Sequence, residues 1–558
     1  EVKVATVSRI NEAIRNLGTN ADSTARLMEE LGRYTIDEID AMIAARDLID
    51  TTSPAGQFVK TAMDIYSQGL ENAKTKYAAF YQNFRDHGFK HALEVTKYAL
   101  KLGQDLGLQA EEMSLVAYAS LSHDFGMQGG YAHVSGKIES SITKAIEKAR
   151  KKGKLSETEL ARYEQLLEEN RGKVLSIEEA REIFGSDLIA EADFIMNFAR
   201  TSHPLNSALD ILITQREVSP EVQAYYENKL REIGYTGDTK NIGVTIAAIL
   251  AMSHSKSTSG ISMFTEMSQW EGCIKTLRES LEYRLAQSQT TESVSDVFNE
   301  EALRALLSDP AMFKTIQDYA LLVRDGDAMS KVVSARPNET IMQNGQTTKI
   351  TSMPTVEELI DPATGELKTA AEELGLIKEQ FENGEPVTND FSRGIHSGEL
   401  NVQYATTVQR TADGREIYEA YIKVNDSSII PHSTWDFGIS ERLGEVVTYS
   451  NMDSRSVTIL VTEGTDSRVL DLYRKNIEKF SKDARQKLNE TFAKKLGIEY
   501  QETAEYKEAR ARLDEFLGNI RIVEVSSQSH SSLDLERQTV AEVKVATVSR
   551  INEAIRNL

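Results

Sequence analysis

The stretch that decides the fold is QAEEMSLVAYASLSHDF, residues 109–125. It is apolar at nearly every position from Met113 to Leu121 and ends in a histidine-aspartate pair, His123 and Asp124. Such a run predicts a helix buried in a large core rather than an amphipathic surface helix. A neutral imidazole beside a carboxylate at the end of a buried helix can reach one divalent cation together with it. The segment therefore predicts a helical core with a metal site at one end.

Two other helical stretches supply further candidate ligands. FKHALEVTKYALKLG, residues 89–103, carries His91 near the start of a helix, and LLVRDGDAMS, residues 321–330, carries Asp325 and Asp327 after an apolar run. A histidine from a neighbouring helix and an aspartate from a later one would complete a mixed imidazole and carboxylate ligand set. The competing interpretation is that the histidines are buried, hydrogen-bonded core residues and that the aspartate of the pair caps a turn.

The order His, then His-Asp, then Asp, carried by HALEV, SHDFG and VRDGDAMS, resembles the HD superfamily of metal-dependent phosphohydrolases. The resemblance covers residues 85–335 and implies an all-α fold that holds one or two divalent ions, Mn, Fe or Mg. It implies hydrolysis of phosphoesters of nucleotides, including cyclic nucleotides, by a metal-activated water. If the register slips by two residues, Asp325 replaces the last aspartate. The positions that match the motif are His91, His123, Asp124 and Asp327.

Two further histidines make the sequence similar to one branch of that superfamily, the HD-GYP group, which cleaves cyclic dinucleotides. They are His203 in SHPLNSALDIL and His254 in SHSKSTSGIS. We expect them to hold a second metal, or one of them to protonate the leaving oxygen. The sequence departs from the branch at Met127, where a Lys is expected, and at Ser255, where a second His is expected, and it lacks the GYP tripeptide. The candidate catalytic residues are His123, Asp124, His203 and His254.

Several other residues are weaker candidates. Four basic residues lie close in sequence to the proposed ligands and could hold phosphate charge; they are Lys137, Arg200, Lys256 and Arg324. His133 lies in the glycine-rich stretch GGYAHVSG and is interpreted as a loop residue that could line the cleft. The remaining histidines have no comparable context and carry no functional prediction; they are His87, His396, His432 and His530.

The composition sets limits on the partners. The 558 residues include 64 Lys and Arg against 86 Asp and Glu, which gives a net charge of −22. A broad nucleic-acid surface needs clustered basic residues and is not expected, whereas a small phosphorylated substrate is compatible with one locally positive cleft. The single cysteine, Cys273, excludes an intrachain disulfide and a cysteine-based zinc site and fits a cytoplasmic location. No stretch approaches the roughly 18–20 apolar residues that span a membrane, and no signal peptide is visible.

The pattern of apolar residues changes along the chain and predicts a multi-domain protein, an all-α HD-type domain followed by a separate α+β domain. In the second half β-branched and aromatic residues recur at every second position, at Val402, Tyr404, Thr406 and Val408, ahead of a tight turn at Asp413-Gly414, which predicts a hairpin. Two more strands are expected in 445–462, a helix over 466–495 and a strand over 519–525. The expected regions are 1–84, helical; 85–335, the HD-type domain; 336–400, a connector or lid; 401–541, an α+β domain of unknown role; and 542–558, a repeat.

The repeat is the segment EVKVATVSRINEAIRNL, which occupies residues 1–17 and recurs identically as residues 542–558. One interpretation is a tandem array of long units, with self-association of the units; the other is an artificial overlap. The chain begins at Glu1 without Met, which indicates a piece of a longer product. The array, together with the departures from the HD-GYP pattern, also supports an alternative function, a catalytically inactive HD-fold interaction or structural module. Stoichiometric metal would distinguish the enzyme from that module.

Overall fold

The structure is a computed structural model, and it divides into two compact units, residues 1–330 and 331–558. The chain is mostly helical, with a separate mixed sheet in its C-terminal part. The residues that the structure describes are 5, 7–12, 34, 36–52, 54–73, 88–128, 135–137, 139–151, 153–189, 192–215, 218–254, 267–288, 290–333, 340–343, 346–349, 356–369, 372, 402–424, 427, 431–447, 453–497 and 499–525.

The described residues of the N-terminal unit form helices and one short two-stranded sheet. Residues 7–12 are helical, and strands β1 (Ser135–Lys137) and β2 (Val174–Ser176) pair antiparallel. The further helices are α1 (Ile36–Ala44), α2 (Pro54–Ala73), α3 (Phe89–Leu106), α4 (Ala110–Ser122), α5 (Phe125–Gln128), α6 (Glu139–Lys151), α7 (Glu157–Glu169), α8 (Ile177–Phe184), α9 (Ser186–Ile189), α10 (Ala192–Asp210), α11 (Pro220–Glu232), α12 (Ile242–Ser253), α13 (Met267–Gln287), α14 (Val294–Val297), α15 (Glu300–Ser308) and α16 (Pro310–Val333).

Two apolar helices occupy the centre of this core. Every residue of α4 from Met113 to Ser122 is buried, and so is every residue of α12. α4 packs against α3, α11 and α12, while α10 packs against α5 and α12. A helix that is surrounded on all sides needs no polar face. The apolar run from Met113 to Leu121 therefore forms the buried helix that its composition predicts.

Glu112 ties the start of α4 to two other helices. Its Oε2 accepts a hydrogen bond from the backbone N–H of Gln109 at 2.7 Å as part of a reciprocal capping box. Its Oε1 accepts the hydroxyls of Tyr319 at 2.6 Å and Tyr225 at 3.1 Å. One carboxylate thus joins α4 to α16 and α11, and both of its oxygens are satisfied.

Two helices of this unit begin with capping boxes. Ser156 with Glu159 begins α7, and Ser176 with Glu179 begins α8. In each case the serine side chain accepts the N3 backbone N–H, while the glutamate bonds back to the serine backbone. The short strand β2, which ends at Ser176, was not predicted.

The C-terminal unit is built on a four-stranded mixed sheet of order β5-β6-β7-β8. Strands β5 and β6 pair antiparallel, whereas β6 with β7 and β7 with β8 pair parallel. None of the described helices in either unit is both long and apolar enough to cross a membrane. The elements are β3 (Thr340–Gln343), β4 (Gln346–Lys349), α17 (Val356–Leu359), β5 (Val402–Arg410), β6 (Glu416–Val424), α18 (Pro431–Thr434), a π-helical turn (Trp435–Ile439), α19 (Ser440–Val446), β7 (Ser454–Thr462), α20 (Ser467–Leu496), α21 (Ala504–Gly518) and β8 (Ile520–Val525).

The predicted hairpin, helix and last strand of this unit are confirmed as β5–β6, α20 and β8. The turn places Gly414 at φ 83°, a conformation that glycine adopts without steric cost. The prediction of two strands within 445–462 is wrong in part. Residues 445 and 446 belong to α19, and among the described residues of that range, 445–447 and 453–462, only Ser454–Thr462 form a strand. The β-branched run there suggested a strand, and tertiary packing overrides that weak preference.

The proposed connector and the repeat are only partly described. Within 336–400 the structure has the hairpin β3–β4 and the single turn α17. Of the first repeat copy, Val7 and Ile10 are buried, and the Asn11 side chain bonds to the Leu48 carbonyl and the Asp50 N–H. The second copy, 542–558, lies outside the described residues, so self-association of units stays a prediction.

Candidate metal centre

Six side chains from the N-terminal unit converge on one buried point, which we call the metal centre. They form three overlapping groups whose ligand atoms lie within 4.8 Å of one another. All are buried. His91 comes from α3, His203 from α10 and Asp327 from α16, while His123 and His254 cap the C-terminal ends of α4 and α12. The members are His91, His123, Asp124, His203, His254 and Asp327.

Asp124 lies between two pairs of histidines. Its Oδ2 is 3.1 Å from Nε2 of His123 and 3.3 Å from Nε2 of His91. Its Oδ1 is 3.4 Å from Nε2 of His203 and 3.5 Å from Nε2 of His254. Each oxygen of one carboxylate therefore faces a different pair of imidazoles, which is an arrangement that can bridge two cations.

Asp327 lies beside the pair His91 and His123, which forms one half of the metal centre. Its Oδ1 is 3.4 Å from Nε2 of His91 and 3.9 Å from Nε2 of His123. The neighbouring Asp325 is also buried but belongs to none of the three groups. The structure thus brings Asp327, rather than Asp325, to the other ligands.

The hydrogen bonds of the two helix-capping histidines fix which nitrogen faces the centre. Nδ1 of His123 is 2.6 Å from the carbonyl oxygen of Ser120, and Nδ1 of His254 is 2.6 Å from that of Ala251. A carbonyl only accepts, so each Nδ1 carries the proton, and in a neutral ring Nε2 then presents a lone pair. Nε2 of His123 has no hydrogen-bond partner among the described residues. A histidine held in this way is prepared to ligate a metal.

His91 is oriented through Ser330. The Ser330 hydroxyl donates to the Asp327 backbone carbonyl at 3.0 Å, so its oxygen can accept the Nδ1–H of His91, also at 3.0 Å. Burial by itself lowers the pKa of His91, but hydrogen bonds and charge attraction from Asp124 and Asp327 outweigh it and raise that pKa to about 10. The buried carboxylates of Asp124 and Asp327 therefore favour a positive charge next to them. A proton on His91 supplies that charge when no cation is bound.

His203 and His254 form the other half of the centre. Their Nε2 atoms are 2.9 Å apart. Burial, followed by the nearby His123 and His203, holds the pKa of His254 well below its usual value. The neutral His254 ring then offers its Nε2 lone pair.

The donor atoms of the metal centre are of the kinds that bind divalent metals. The donors are imidazole nitrogens and carboxylate oxygens, the set that divalent transition metals take from proteins. At least three of the four histidines, His91, His123 and His254, turn Nε2 inward with Nδ1 hydrogen-bonded outside. The buried cluster can therefore bind a metal ion.

Two glycines allow the ligand-bearing elements to approach closely. A Cβ on Gly126 would overlap the carbonyl oxygen of His203 and lie 2.7 Å from the backbone nitrogen of Ser207. A Cβ on Gly326 would lie 2.5 Å from the carbonyl oxygen of Val95 on α3. Both approaches are closer than a side chain permits, so these positions set the spacing of α5 to α10 and of α16 to α3.

Those weaker candidates that the structure describes do not join the ligand groups. Lys137 lies on β1 and forms an ion pair with Glu279 at 3.1 Å. Arg324 is buried on α16, and His432 lies partly buried in α18. The side chain of Arg200 and the remaining candidates, namely His87, His133, Lys256, His396 and His530, lie outside the described residues.

Met127 belongs to the hydrophobic core. It is buried in a cluster with residues such as Ile142 and Phe198. The position at which the HD-GYP pattern has a Lys is thus an apolar packing position in this chain.

Sequence reasoning missed the residues that orient the ligands. Ser330 follows Asp327 by three residues, and the carbonyls of Ser120 and Ala251 precede their histidines by three. A sequence signal for the last two exists, since both histidines follow a serine at the end of an apolar helix, in LSH and MSH. Ser330 had no such signal.

The comparisons with known proteins add no family to these observations. The chain matches no protein-family model, and neither curated proteins nor solved structures give a match. The resemblance to the HD superfamily therefore rests on the sequence motifs and stays a prediction.

Proposed function

We propose that this chain is a metal-dependent phosphohydrolase of the HD type, which hydrolyses a phosphoester of a nucleotide or cyclic nucleotide. The observation that supports it most is the position of Asp124, whose two oxygens each face a separate pair of histidine Nε2 atoms at 3.1–3.5 Å. A core that needed only stability would not gather four imidazoles and two carboxylates at one point, because each buried polar group costs free energy unless it is fully paired.

Each residue has a distinct role in this proposal. His91, His123 and Asp327 would hold one ion, His203 and His254 would hold a second, and Asp124 would offer a carboxylate oxygen to each. Divalent cations bound there would polarise a phosphate oxygen and lower the pKa of a bound water. The carbonyls of Ser120 and Ala251 keep the Nδ1 protons in place, so that the rings cannot rotate away from the centre.

The donor set narrows the choice of metal. Imidazole nitrogens outnumber carboxylates in the metal centre, four to two. Mg²⁺ prefers oxygen ligands, whereas Fe²⁺ and Mn²⁺ accept histidine together with carboxylate. We therefore rank Fe and Mn above Mg among the ions expected from sequence.

The two roles considered for His203 and His254 can also be ranked. His254 donates its Nδ1 proton to a carbonyl, and its surroundings lower its pKa, so it is poorly suited to protonate a leaving oxygen. It fits better as a ligand. His203 is the less buried of the two, at 9% exposed against 4%, and would be the proton donor if only one ion binds.

The alternative is a catalytically inactive HD-fold module. The buried Met127 favours it over an HD-GYP enzyme in particular, because the side chain that would carry a positive charge in that branch is here part of the core. A cytoplasmic location and a role for the C-terminal unit in specificity or partner binding stay predictions from sequence.

The test compares the wild type with Asp124→Ala and a matched control, Asp105→Ala. Asp105 is an exposed carboxylate on α3, the helix that also carries His91, and lies outside the metal centre. Bound metal is measured by mass spectrometry, and phosphate or nucleotide release is measured on nucleoside mono- and triphosphates, cyclic mononucleotides and cyclic dinucleotides. We expect metal and activity in the wild type and the control, and neither in Asp124→Ala.

A folded wild type that stays metal-free and inactive after Mn²⁺ and Fe²⁺ are supplied would reject the enzyme and leave the inactive module. Metal without activity on any member of the panel would keep the metal centre and reject the nucleotide substrates.

A further inference from the structure

The helix that carries His203 is not fixed by its backbone alone. Pro204 lies inside α10 and has no N–H, so the usual hydrogen bond to the carbonyl four residues earlier cannot form. Beyond Asp210 the helix passes into a π-helical turn, Ile211–Gln215. The position of His203 therefore depends on side-chain contacts to the neighbouring elements.

One such contact lies on the side of the metal centre. The backbone N–H of Gly126, two residues after Asp124, donates to the Ser207 hydroxyl at 2.8 Å. With the close backbone approach at Gly126, this bond holds α10 against the turn that presents Asp124.

The other contact is a network around Arg284 on α13. Its Nη2 donates to Oδ1 of Asn206 at 2.6 Å, and its Nε donates to the Ser135 hydroxyl at 3.3 Å. The Asn206 amide in turn donates to the carbonyls of Ser202 at 2.8 Å and Ser135 at 3.2 Å. A guanidinium presents its donors in a rigid planar fork, so this network fixes direction as well as distance.

Asn206 lies one helical turn after His203, so a shift of Asn206 moves the imidazole. We propose that Arg284 and Asn206 are positioning residues, which hold His203 at the distance from Asp124 and His254 that the second ion requires. This inference rests on the proposed function, because it concerns one half of the same centre. Neither residue is among the ligand groups, so both act through His203.

The proposal predicts a partial loss of metal rather than a complete one. Arg284→Met keeps an unbranched aliphatic side chain and removes the guanidinium group. We expect bound metal to fall from two ions per chain towards one, since His91, His123 and Asp327 are untouched. We expect kcat to fall by about 10- to 100-fold, as for other residues that orient metal ligands, with KM nearly unchanged. Arg284→Lys, which restores a hydrogen-bond donor, should recover part of the bound metal and part of kcat.

The control is Arg278→Met on the same helix, whose guanidinium is more exposed and pairs with Glu282 and Glu300. It should keep two ions and full kcat. Asn206→Asp retains the acceptor for Arg284 and loses both amide donors, so it repeats the test if Arg284→Met does not fold. Metal per chain, kcat and KM are measured on all variants beside thermal unfolding.

Each other outcome overturns the proposal. Two ions and normal kcat in Arg284→Met would mean that the network does not act on the centre. Loss of all metal together with a much lower unfolding temperature would mean a general structural role. A wild type with a single ion and full activity would reject the positioning role alone, whereas a wild type without metal would reject the proposed function as well.

Discussion

The two units bury polar side chains in opposite ways. In the C-terminal unit several buried groups satisfy one another locally, as where Arg442 donates to Glu445 at 2.9 Å and the hydroxyls of Tyr404 and Tyr418 meet at 3.0 Å. In the N-terminal unit six buried groups point at a shared centre, and Nε2 of His123 meets no hydrogen-bond partner among the described residues.

This difference separates groups that pair with each other inside the fold from groups that could bind a metal ion. A buried charge that is paired with its neighbour adds little by itself and costs much when the partner is removed. The buried ligand atoms of the metal centre lie close enough together to share a cation. Substitutions in the two units should therefore change different measurements.

The largest effect is expected for Asp124→Asn. An amide cannot bridge two cations, so bound metal should be lost and hydrolysis should fall on the order of 1,000-fold. Without metal the variant should unfold at or above the temperature of the metal-free wild type, because one uncompensated negative charge leaves the core. Metal analysis and calorimetry on the two metal-free proteins test this. A variant that keeps both ions would contradict the central place given to Asp124.

The next comparison is between two aspartates on one helix. Asp327→Asn should reduce metal affinity and activity by about 100-fold, since it removes a ligand of the first ion. Asp325→Asn should leave the metal content at the wild-type value. Titration with Mn²⁺, followed by mass spectrometry of the desalted protein, separates them. The reverse order of effects would move the last ligand to Asp325.

In the C-terminal unit, Arg442→Met should lower the free energy of unfolding by about 3–5 kcal/mol, because it leaves the buried carboxylate of Glu445 without its partner. The metal content should not change. The double variant Arg442→Met with Glu445→Gln should recover part of the loss, which urea unfolding of the three proteins would measure. A loss of metal in Arg442→Met would contradict the expectation that substitutions in the C-terminal unit change stability and leave metal binding unchanged.

The smallest effect is expected where the spacing of helices is changed without altering a ligand. Gly126→Ala forces a methyl group into the backbone of α10 and should cost about 1–3 kcal/mol of stability, with weaker metal binding. Gly272→Ala on α13 is the matched control, because a Cβ there meets no atom within 4 Å. It should be neutral or gain up to about 1 kcal/mol. Equal stability of the two variants would contradict the close packing.

The sequence predicted the chemistry of the metal centre better than its geometry. A histidine-aspartate pair at the end of an apolar run indicates a ligand because both residue types are rare in a core. The choice between Asp325 and Asp327 could not be made, because two residues differ by about 200° around a helix and only packing decides which one faces inward. The Arg284 network was likewise invisible, since Arg284 and Ser135 are far apart in the chain.

The C-terminal unit shows the same limit. The alternation around Tyr404 and Thr406 predicted a real strand, because period-two burial is a local property. The end of α19 at Val446 was missed, because the β-branched pair Val446 and Val447 lies where the helix ends, and tertiary packing overrides a weak local strand preference.

The glycines in HDFG and DGD also define what a distant relative of this chain could look like. Gly126 lies two residues after Asp124 and Gly326 directly precedes Asp327, and a Cβ at either position would clash with the backbone of a neighbouring helix. A homologue that keeps the aspartates and replaces either glycine must have moved a pair of helices apart. A search pattern that requires a glycine two residues after Asp124 and another directly before Asp327 would therefore select for preserved spacing, whereas the His-Asp pair alone also admits chance occurrences.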